Sequence, residues 1–451
     1  MSSDDTTPTT PKEASAPQRV FLACDWRAFW IATLVALIGY LWTLAPDLTL
    51  EDSGELAVAS HYAGVPHPPG YPIWTVYTWM FTKLIPFSNT AWRVAVSSAV
   101  AAAFASGLVA LLTASWGRRI ADGLQGAIPQ SPQDSARVAT LLGVVTGLLA
   151  AFNGYIWSQA VIVEVYTLSA VSFMATLTFL YMWSCQPERM RWLYVAFFVF
   201  GIAFTNHQTL IVAAMGIEIF IAVIRPKLGR ELLLGNSLIF LLTLLLKATG
   251  TFQSFDHNKV LFGIFLVIGI ASLIGYYWMA KRTGLPDSAM KVWQEGGPWG
   301  FFKRGLSRLA PPLALGGLFA LPNLSNLFLP LTSMTNPPMN WGYPRTLDGL
   351  LRLVGRGQYA PTSPTEDPFK FIMQIAMYWE GVFDEYSLAF TVLAIVPFLL
   401  YRRLAPQQRG LLIGSVGIFL GLSALLMALL NPNTDEQSRH LTKVFFSFSH
   451  L

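Results

Sequence analysis

Long apolar segments recur along the whole chain and are separated by short polar stretches. They predict eleven membrane-spanning helices, at residues 27–46, 92–116, 138–153, 161–184, 193–206, 208–224, 232–247, 259–279, 309–330, 386–401 and 410–430. About 20 apolar residues in a helix cross the hydrocarbon core of a bilayer. Because backbone groups in hydrocarbon must find partners within their own segment, the spans are expected to be helices. The pattern therefore predicts an all-α polytopic membrane protein.

Composition agrees with this assignment. Of the 451 residues, 53% are hydrophobic and only 12% are charged, whereas soluble domains carry about 25% charged residues. The net charge of +5 does not indicate nucleic acid as a partner, because the basic residues flank the spans. Residues 1–26 begin with a polar Ser-, Thr- and Pro-rich stretch and are predicted to form a disordered cytoplasmic tail. Residues 27–451 are predicted to form one transmembrane domain.

The distribution of positive charge predicts the orientation. About two thirds of the 30 Lys and Arg residues fall on the side that carries the N-terminus, so the N-terminus is expected to be cytoplasmic. The outer side then holds a first loop at 47–91 and a long loop at 331–385. Within the first loop, residues 52–63 and 72–85 are predicted to be helices. The second is rich in Trp and Tyr, which is typical of a helix lying in the membrane interface.

Three carboxylates, Glu51, Asp52 and Glu55, follow the first span. One interpretation is a general base, Asp52, that takes a proton from a hydroxyl nucleophile, with Glu51 and Glu55 beside it in the substrate site. The alternative is N-terminal capping of the next helix. Capping needs one acidic residue, and carboxylates beside a membrane are costly to desolvate. Three of them favour a functional role.

His67 and Tyr71 lie in the sequence HPPGYP. Its prolines restrict the backbone and its glycine allows close approach, so a rigid turn is expected. We also regard both side chains as candidates for substrate binding. Asp52, Glu55, His61 and His67 could bind a divalent cation, but no spacing here is diagnostic and no metal ligand is assigned.

Three further polar residues lie in or between the spans. Glu164 falls a few residues into the predicted fourth span, and Asn206 and His207 fall at the junction of two spans. Ionisable residues within a span are candidates for function. The alternatives are a hydrogen bond to a neighbouring helix for Glu164 and a polar turn for the other two. We predict that all three line the substrate site.

The later outer segments carry an aromatic residue and several arginines that suit a phosphorylated ligand. The predicted substrate contacts are Trp341, Arg345, Arg352, Arg356 and Arg439. Guanidinium groups bind phosphate or pyrophosphate through paired hydrogen bonds. The alternative is that these side chains extend along the membrane surface to reach water.

Several motifs are absent. The sequence contains no GxxxxGK[ST] phosphate loop, no GxGxxG after a strand, no HExxH and no CxxC, so ATP-driven transport and zinc proteolysis have no support. A second class remains open, a transporter or lipid flippase that uses Asp52, Glu164 and His207 as an ion relay. Against it, the ionisable residues gather at one face of the membrane, and no internal repeat is visible.

Several of these segments together resemble one family. EDSGEL at 51–56 followed by HPPGYP, then SQAVIVEVYTL, the Asn206-His207 pair, NWGYPRT and the segment around 433–446, are similar to bacterial membrane proteins related to the animal O-mannosyltransferase that acts on plexin-type receptor domains. The resemblance runs from about residue 30 to the end. Where the family often has Gly before the Asp, this chain has Glu51.

The resemblance implies a GT-C glycosyltransferase, a helical bundle that uses lipid-phosphate-linked sugars and an acidic residue in its first outer loop. Asp52 matches that residue. The implied reaction is inverting transfer of mannose or a similar sugar from a polyprenyl phosphate to a hydroxyl of a secreted or membrane protein, without a certain cofactor. The implied location is the inner membrane of a bacterium. Because relatives continue further, a C-terminal part of the family is expected to be missing here.

Overall fold

The computed structural model describes residues 19–49, 52–123, 131–251, 259–284, 289–359 and 363–451. Glu51 and most of the predicted N-terminal tail lie outside these ranges. Within the described residues the chain is helical and contains no β-strand. The α-helices are α1 (Ala23–Trp42), α2 (Ser53–Tyr62), α3 (Pro72–Leu84), α4 (Thr90–Gly123), α5 (Pro132–Ala151), α6 (Gly154–Ala160), α7 (Tyr166–Cys185), α8 (Met190–Asn206), α9 (Ala214–Ile224), α10 (Pro226–Ala248), α11 (Lys259–Thr283), α12 (Ala289–Ala320), α13 (Phe328–Ser333), α14 (Leu347–Val354), α15 (Pro368–Leu393), α16 (Val396–Leu399), α17 (Pro406–Leu420), α18 (Leu426–Leu430) and α19 (Glu436–Thr442).

The helices confirm the predicted fold class. Nine segments among the described residues are long and apolar enough to cross a membrane, and Met190–Asn206 and Gln208–Ile224 are shorter apolar helices. These eleven segments correspond in order to the eleven predicted spans. The two predicted helices of the first outer loop are present as α2 and α3. The protein is an all-α polytopic membrane protein.

Three predicted boundaries were wrong. Helix α1 begins at Ala23, inside the predicted tail, because the buried Asp25 carboxylate accepts the Leu22 N–H at 2.8 Å and pairs with Arg118 at 3.0 Å. Helix α7 begins at Tyr166, because α6 ends at Ala160 and the chain turns between them. Glu164 therefore precedes the span.

The third boundary concerns the predicted outer loop at 331–385. Helix α15 already begins at Pro368, and the span runs from Pro368 to Leu399 with a non-helical residue at Ser387. Asp367 caps this helix, since its side chain accepts the Phe369 N–H at 2.9 Å. The predicted span at 386–401 is only the second half of the observed one.

Helices α1, α4 and α5 pack closely through small residues. A Cβ atom added at Gly147 would lie 2.8 Å from the Cβ of Ala110 and 2.9 Å from that of Ala32. Small residues allow such close approach between membrane helices. The packing fixes α1 and α4, whose ends border the first outer loop.

The first outer loop is tied to the chain around residue 340. The Val65 N–H donates to the Met339 carbonyl at 2.9 Å, and the Trp341 N–H donates to the Val65 carbonyl at 2.9 Å. At Gly64 an added Cβ would lie 2.3 Å from the Met339 oxygen, so only glycine fits. The segment around Val65 in the first outer loop and the segment around Trp341 in the long outer loop are therefore held together.

Candidate active site

Asp52 directly precedes helix α2, in the position where a capping residue would lie. Its side chain makes no capping hydrogen bond. The carboxylate is 58% exposed, and its Oδ2 atom lies 3.8 Å from His67 Nε2. Capping therefore does not account for this side chain, and the carboxylate is accessible to accept a proton.

Glu55 holds His67 in place. Its Oε1 atom accepts the backbone N–H of His67 at 2.5 Å and lies 3.2 Å from Nδ1 of the same residue. A carboxylate beside Nδ1 favours a proton on that nitrogen, which leaves Nε2 to face the opposite side of the ring. Nε2 faces the Tyr71 hydroxyl at 3.2 Å and Asp52. Glu55 thus orients His67 toward the accessible carboxylate.

The HPPGYP segment forms the predicted rigid turn. Gly70 has φ 95°, and an added Cβ would lie 2.9 Å from both terminal methyl carbons of Leu329. Tyr71 has φ 40° and directly precedes α3, which starts with Pro72. The turn places His67 and Tyr71 side by side, with ring centroids 5.2 Å apart.

Tyr71 lies where several charged groups meet. Burial raises the pKa of its hydroxyl; Arg356 opposes this shift, and Glu164, Tyr359 and Asp52 add to it. The hydroxyl therefore remains protonated at neutral pH. Charges from three distant parts of the sequence, Asp52, Glu164 and Arg356, therefore all influence the pKa of this one buried side chain.

Glu164 is buried, with 4% of its surface exposed. Its backbone carbonyl accepts the indole N–H of Trp74 at 3.1 Å and the Ser98 hydroxyl at 3.3 Å. The carboxylate accepts the Val165 N–H at 3.0 Å. Helices α3 and α4 thus fix the turn that carries Glu164 beside the first outer loop.

His207 lies among aromatic rings. Its ring centroid is 5.2 Å from Tyr166, 5.8 Å from Phe445 and 5.1 Å from Phe448. Burial, with a smaller contribution from Arg356, lowers the pKa of His207 to about 3. The imidazole is therefore neutral at physiological pH, so it can position a ligand but carries no charge with which to bind phosphate.

Asn206 is fully buried, and neither its amide oxygen nor its amide nitrogen has a hydrogen-bond partner in the described protein. Buried polar side chains almost always have a partner, in protein or in bound molecules. This amide, next to His207, is therefore suited to a polar group of a ligand.

The predicted phosphate-binding arginines differ in their surroundings. Arg345 donates to the Asn336 side chain, and its guanidinium lies 5.6 Å from the centre of the Tyr343 ring. Arg352 is exposed on α14. Arg356 acts electrostatically on both Tyr71 and His207. Of the three, Arg356 is therefore the strongest candidate for a phosphate contact.

Two other predicted contacts have partners of their own. The Trp341 ring lies 6.3 Å from His67, beside the cluster, and its N–H donates to Gln358 at 2.5 Å. Arg439 instead pairs with Glu380 at 3.3 Å and Asp384 at 2.5 Å. Arg439 lines a separate polar cavity of about 560 Å³. It is therefore not one of the residues around Tyr71, where a substrate contact was predicted for it.

Asp52, Glu55 and His67 also form a candidate cation site. One ligand atom from each lies within 4.8 Å of the others. Mixed carboxylate and imidazole donors suit a divalent transition metal more than Ca²⁺. His61, considered with them from sequence, lies apart, with Nδ1 3.3 Å from the Thr90 hydroxyl.

Sequence reasoning missed several partners of these residues. The Trp74 indole, whose N–H donates to the Glu164 carbonyl, is 90 residues away in sequence and carries no local signal. The partners of Arg439 could have been found, because Glu380 and Asp384 are four residues apart on α15 and share one face.

Residues 52–229 match the family model described as "Protein O-mannosyl-transferase TMEM260 N-terminal domain". The matched segment contains Asp52, Glu55, His67, Tyr71 and the three later polar candidates Glu164, Asn206 and His207.

Two curated relatives are similar to parts of the chain. "Protein O-mannosyl-transferase tmem260" of Dictyostelium discoideum is 26% identical over 239 residues, which cover 49% of this chain and 26% of the relative. "Protein O-mannosyl-transferase TMEM260" of Mus musculus is 36% identical over 92 residues, which cover 19% of this chain and 13% of the relative. The chain thus spans about a quarter or less of these relatives, and no solved structure matches it. The family model and both relatives agree, and this chain is therefore related to the animal protein O-mannosyl-transferase TMEM260.

Proposed function

We propose that this protein is a GT-C-type glycosyltransferase that moves mannose, or a similar sugar, from a polyprenyl-phosphate donor to a Ser or Thr hydroxyl of a secreted or membrane protein. The observation that carries the proposal is the accessible Asp52 carboxylate beside an oriented histidine, within the segment that matches the TMEM260 N-terminal domain. The reaction would take place on the extracytoplasmic face, with the N-terminus in the cytoplasm.

Asp52 acts as the general base. It takes the proton of the acceptor hydroxyl while that oxygen bonds to the anomeric carbon, and the bond from this carbon to the phosphate oxygen breaks with its electron pair. The polyprenyl phosphate leaves as an anion that needs no proton at neutral pH. A single displacement inverts the anomeric centre, and one carboxylate suffices, unlike the two-carboxylate arrangement of glycoside hydrolases.

The neighbouring side chains position the reactants. We assign Arg356 to the donor phosphate, because it is exposed and its charge influences the pKa of both Tyr71 and His207. The Asn206 amide and neutral His207 contact the sugar or acceptor, and Trp341 borders the same site. A divalent cation, if bound, would be held by Asp52, Glu55 and His67 and would supply charge stabilisation at the phosphate.

An ion relay remains the competing function. A relay needs ionisable groups spaced across the membrane. Within the described residues, several carboxylates lie in spans away from the cluster and are paired with arginines: Asp25 with Arg118, Glu231 with Arg308, and Glu380 and Asp384 with Arg439. Glu218 of α9 also lies in a span, and its Oε2 atom accepts the Asn236 side-chain N–H at 2.6 Å. That bond ties Glu218 to α10, not to the Asp52 cluster, and it therefore favours a structural role.

The test is sugar transfer by purified protein from a polyprenyl-phosphate mannose to an acceptor protein. Asp52→Asn keeps the shape of the side chain and should lower the rate about 10²–10⁴-fold, as expected for loss of a positioned base. Donor binding in metal-free buffer should persist, because Asp52 is not assigned a direct contact with the phosphate.

Asp47→Asn is the matched control, because Asp47 is an exposed carboxylate of the same loop whose hydrogen bond, among the described residues, is the one it accepts from the N–H of its neighbour Leu48 at 2.8 Å. It should transfer normally. Near-normal transfer by Asp52→Asn would remove Asp52 from the base role. Proton-coupled flux without sugar transfer in the wild type would favour the relay.

A further inference from the structure

The polar cavity of about 560 Å³ that Arg439 lines lies between α15 and α19. Its volume is in the range of about 300–1,000 Å³ that is usual for ligand sites. Four carboxylates and two permanent cations line it: Glu380, Asp384, Glu385, Glu436, Arg439 and Lys443. Without counting His440, which also lines the cavity, the lining has a surplus of two negative charges.

The acidic wall belongs to a predicted membrane span, since Glu380, Asp384 and Glu385 lie on α15 within Pro368–Leu399. Glu380 and Asp384 are exposed. Ionisable residues in a span are costly in lipid, and they usually line a water-filled cavity or the path of a substrate. Arg439 pairs with both exposed carboxylates, but one guanidinium cannot neutralise two of them. The ion pairs therefore do not fully account for this acidic wall.

Tyr155 reaches the same cavity from α6. The residue is only 7% exposed, and His450 stacks on its ring with the ring centroids 4.2 Å apart. The hydroxyl lies against Gly381, which also lines the cavity, and it has no hydrogen-bond partner in the part of the chain that the structure describes. Because buried hydroxyls almost always have a partner, this one is suited to a ligand in the cavity.

Helix α6 separates this cavity from the candidate active site. Its Tyr155 lines the cavity, whereas Ile156 and Ala160 belong to the hydrophobic cluster that contains Tyr71 and Trp74. The helix belongs to the turn that leads to Glu164, so the cavity lies at the same membrane face as the candidate site. A polypeptide bound at that site can therefore extend a neighbouring segment toward the cavity.

The α15 wall changes from apolar to acidic along the helix. Met373 and Met377 line its first part, and Glu380 and Asp384 follow on the same face. Lys and Arg side chains have the matching order, with an apolar stem and a charged head. The Tyr155 hydroxyl can accept a hydrogen bond from such a head. The cavity is thus complementary to a long cationic side chain.

We propose that this cavity binds a Lys or Arg side chain of the acceptor polypeptide, close in sequence to the Ser or Thr that receives the sugar. The inference rests on the proposed function for the identity of the ligand. The negative surplus favours a cation over an anion. A metal ion fits less well, because among the described residues the ligand atoms that converge are those of Asp52, Glu55 and His67.

The test measures peptide binding and does not need sugar transfer. Fluorescent Ser/Thr peptides carry one Arg, placed at each position in turn, and the matched peptides carry citrulline or Glu there instead. Citrulline keeps the shape of Arg without its charge. Fluorescence anisotropy with the purified protein should give a Kd about tenfold lower for the best Arg peptide than for its citrulline match. The Glu peptide should bind weakest, and added salt should reduce the difference.

Tyr155→Phe is the sharpest variant, because it removes a hydroxyl that has no partner in the described protein and should leave folding unchanged. It should lower the preference for Arg over citrulline about three- to tenfold, the effect of one hydrogen bond to a charged group. Glu436→Gln should lower it about two- to fivefold, because Glu436 is exposed and its charge is screened. Glu366→Gln is the matched control, since Glu366 is an exposed carboxylate just before α15 that does not line the cavity.

Equal binding of the Arg and citrulline peptides by the wild type would overturn the proposal. An Arg preference that persists in both cavity variants, or that falls equally in Glu366→Gln, would also overturn it, as would displacement of the Arg peptide by phosphatidylethanolamine as readily as by unlabelled peptide. Sugar transfer without an Arg preference would refute the cavity assignment alone. An Arg preference that both variants reduce, in protein that transfers no sugar from any donor, would support the cavity as a cation site and refute the proposed function.

Discussion

Arg356 provides the most discriminating test of how the site binds a phosphate. Arg345, Arg352 and Arg356 of one outer segment were equivalent in the sequence. Of these three, Arg356 is the one whose charge influences the pKa of Tyr71 and His207. We expect Arg356→Ala to raise the apparent KM for the donor and to leave kcat nearly unchanged, because the guanidinium binds the phosphate and takes no part in the proton transfer.

The size of the effect follows from the surroundings of the side chain. A hydrogen bond to a charged group contributes about 1.5–3 kcal/mol, and 1.4 kcal/mol corresponds to a factor of ten in affinity. Arg356 is exposed, and solvent screening places it at the lower end, so KM should rise about tenfold. Arg356→Lys should give a smaller rise, since the charge stays and the paired hydrogen-bond geometry is lost.

The assay is the initial rate of transfer as a function of donor concentration, with Arg345→Ala as the control. The Arg345 side chain is already engaged by Asn336 and Tyr343, so its loss should change KM by less than about threefold. A second readout is the titration of His207, whose pKa should rise slightly in Arg356→Ala because the arginine lowers it. A rise in KM for Arg345→Ala that equals or exceeds the one for Arg356→Ala would refute this assignment.

Three other predictions concern the site and the topology. Glu55→Gln should lower the free energy of unfolding by about 1–2 kcal/mol, because the charged acceptor of two His67 contacts is lost. Calorimetry in detergent would show this, and an unchanged melting temperature would contradict it. The pKa of His207 is about 3 in the folded protein and 6.5 in a free histidine. Between these values the unfolded state binds a proton that the folded state does not, so the stability should fall as the pH decreases from 6.5 to 3. Denaturation midpoints measured over this pH range should fall less for His207→Gln. A cysteine at exposed Tyr62 should react with an impermeant thiol reagent from outside and one at exposed Arg403 should not; the reverse would invert the orientation.

Gly64 lies in the same outer loop as Tyr62, but it is unsuitable for a cysteine probe. The structure excludes Gly64, because any side chain there would collide with the Met339 carbonyl. Tyr62 lies two residues earlier and is 54% exposed, so it reports on the same loop. The close approach of Gly64 to Met339 joins two loops that are distant in sequence, so no local pattern could indicate it.

Part of the candidate site was visible in the sequence because its residues are close together there. Asp52, Glu55, His67 and Tyr71 lie within 20 residues of one another, and the helix spacing of the first two and the prolines of the turn restrict their geometry. Glu164 and His207 were singled out because charged and polar residues are rare beside apolar spans. Residue type and local spacing were sufficient to nominate them.

Apolar runs of about 20 residues determined the fold class, since hydrocarbon leaves the backbone little choice but a helix. They did not determine the boundaries at Tyr166 and Pro368, because apolar residues continue past the point where a helix breaks. The tertiary structure alone decided which arginine influences the pKa of Tyr71 and that Arg439 pairs with Glu380 and Asp384 of α15. These depend on how helices far apart in the sequence pack together, and the packing is set by the shapes of many side chains at once and not by any one segment.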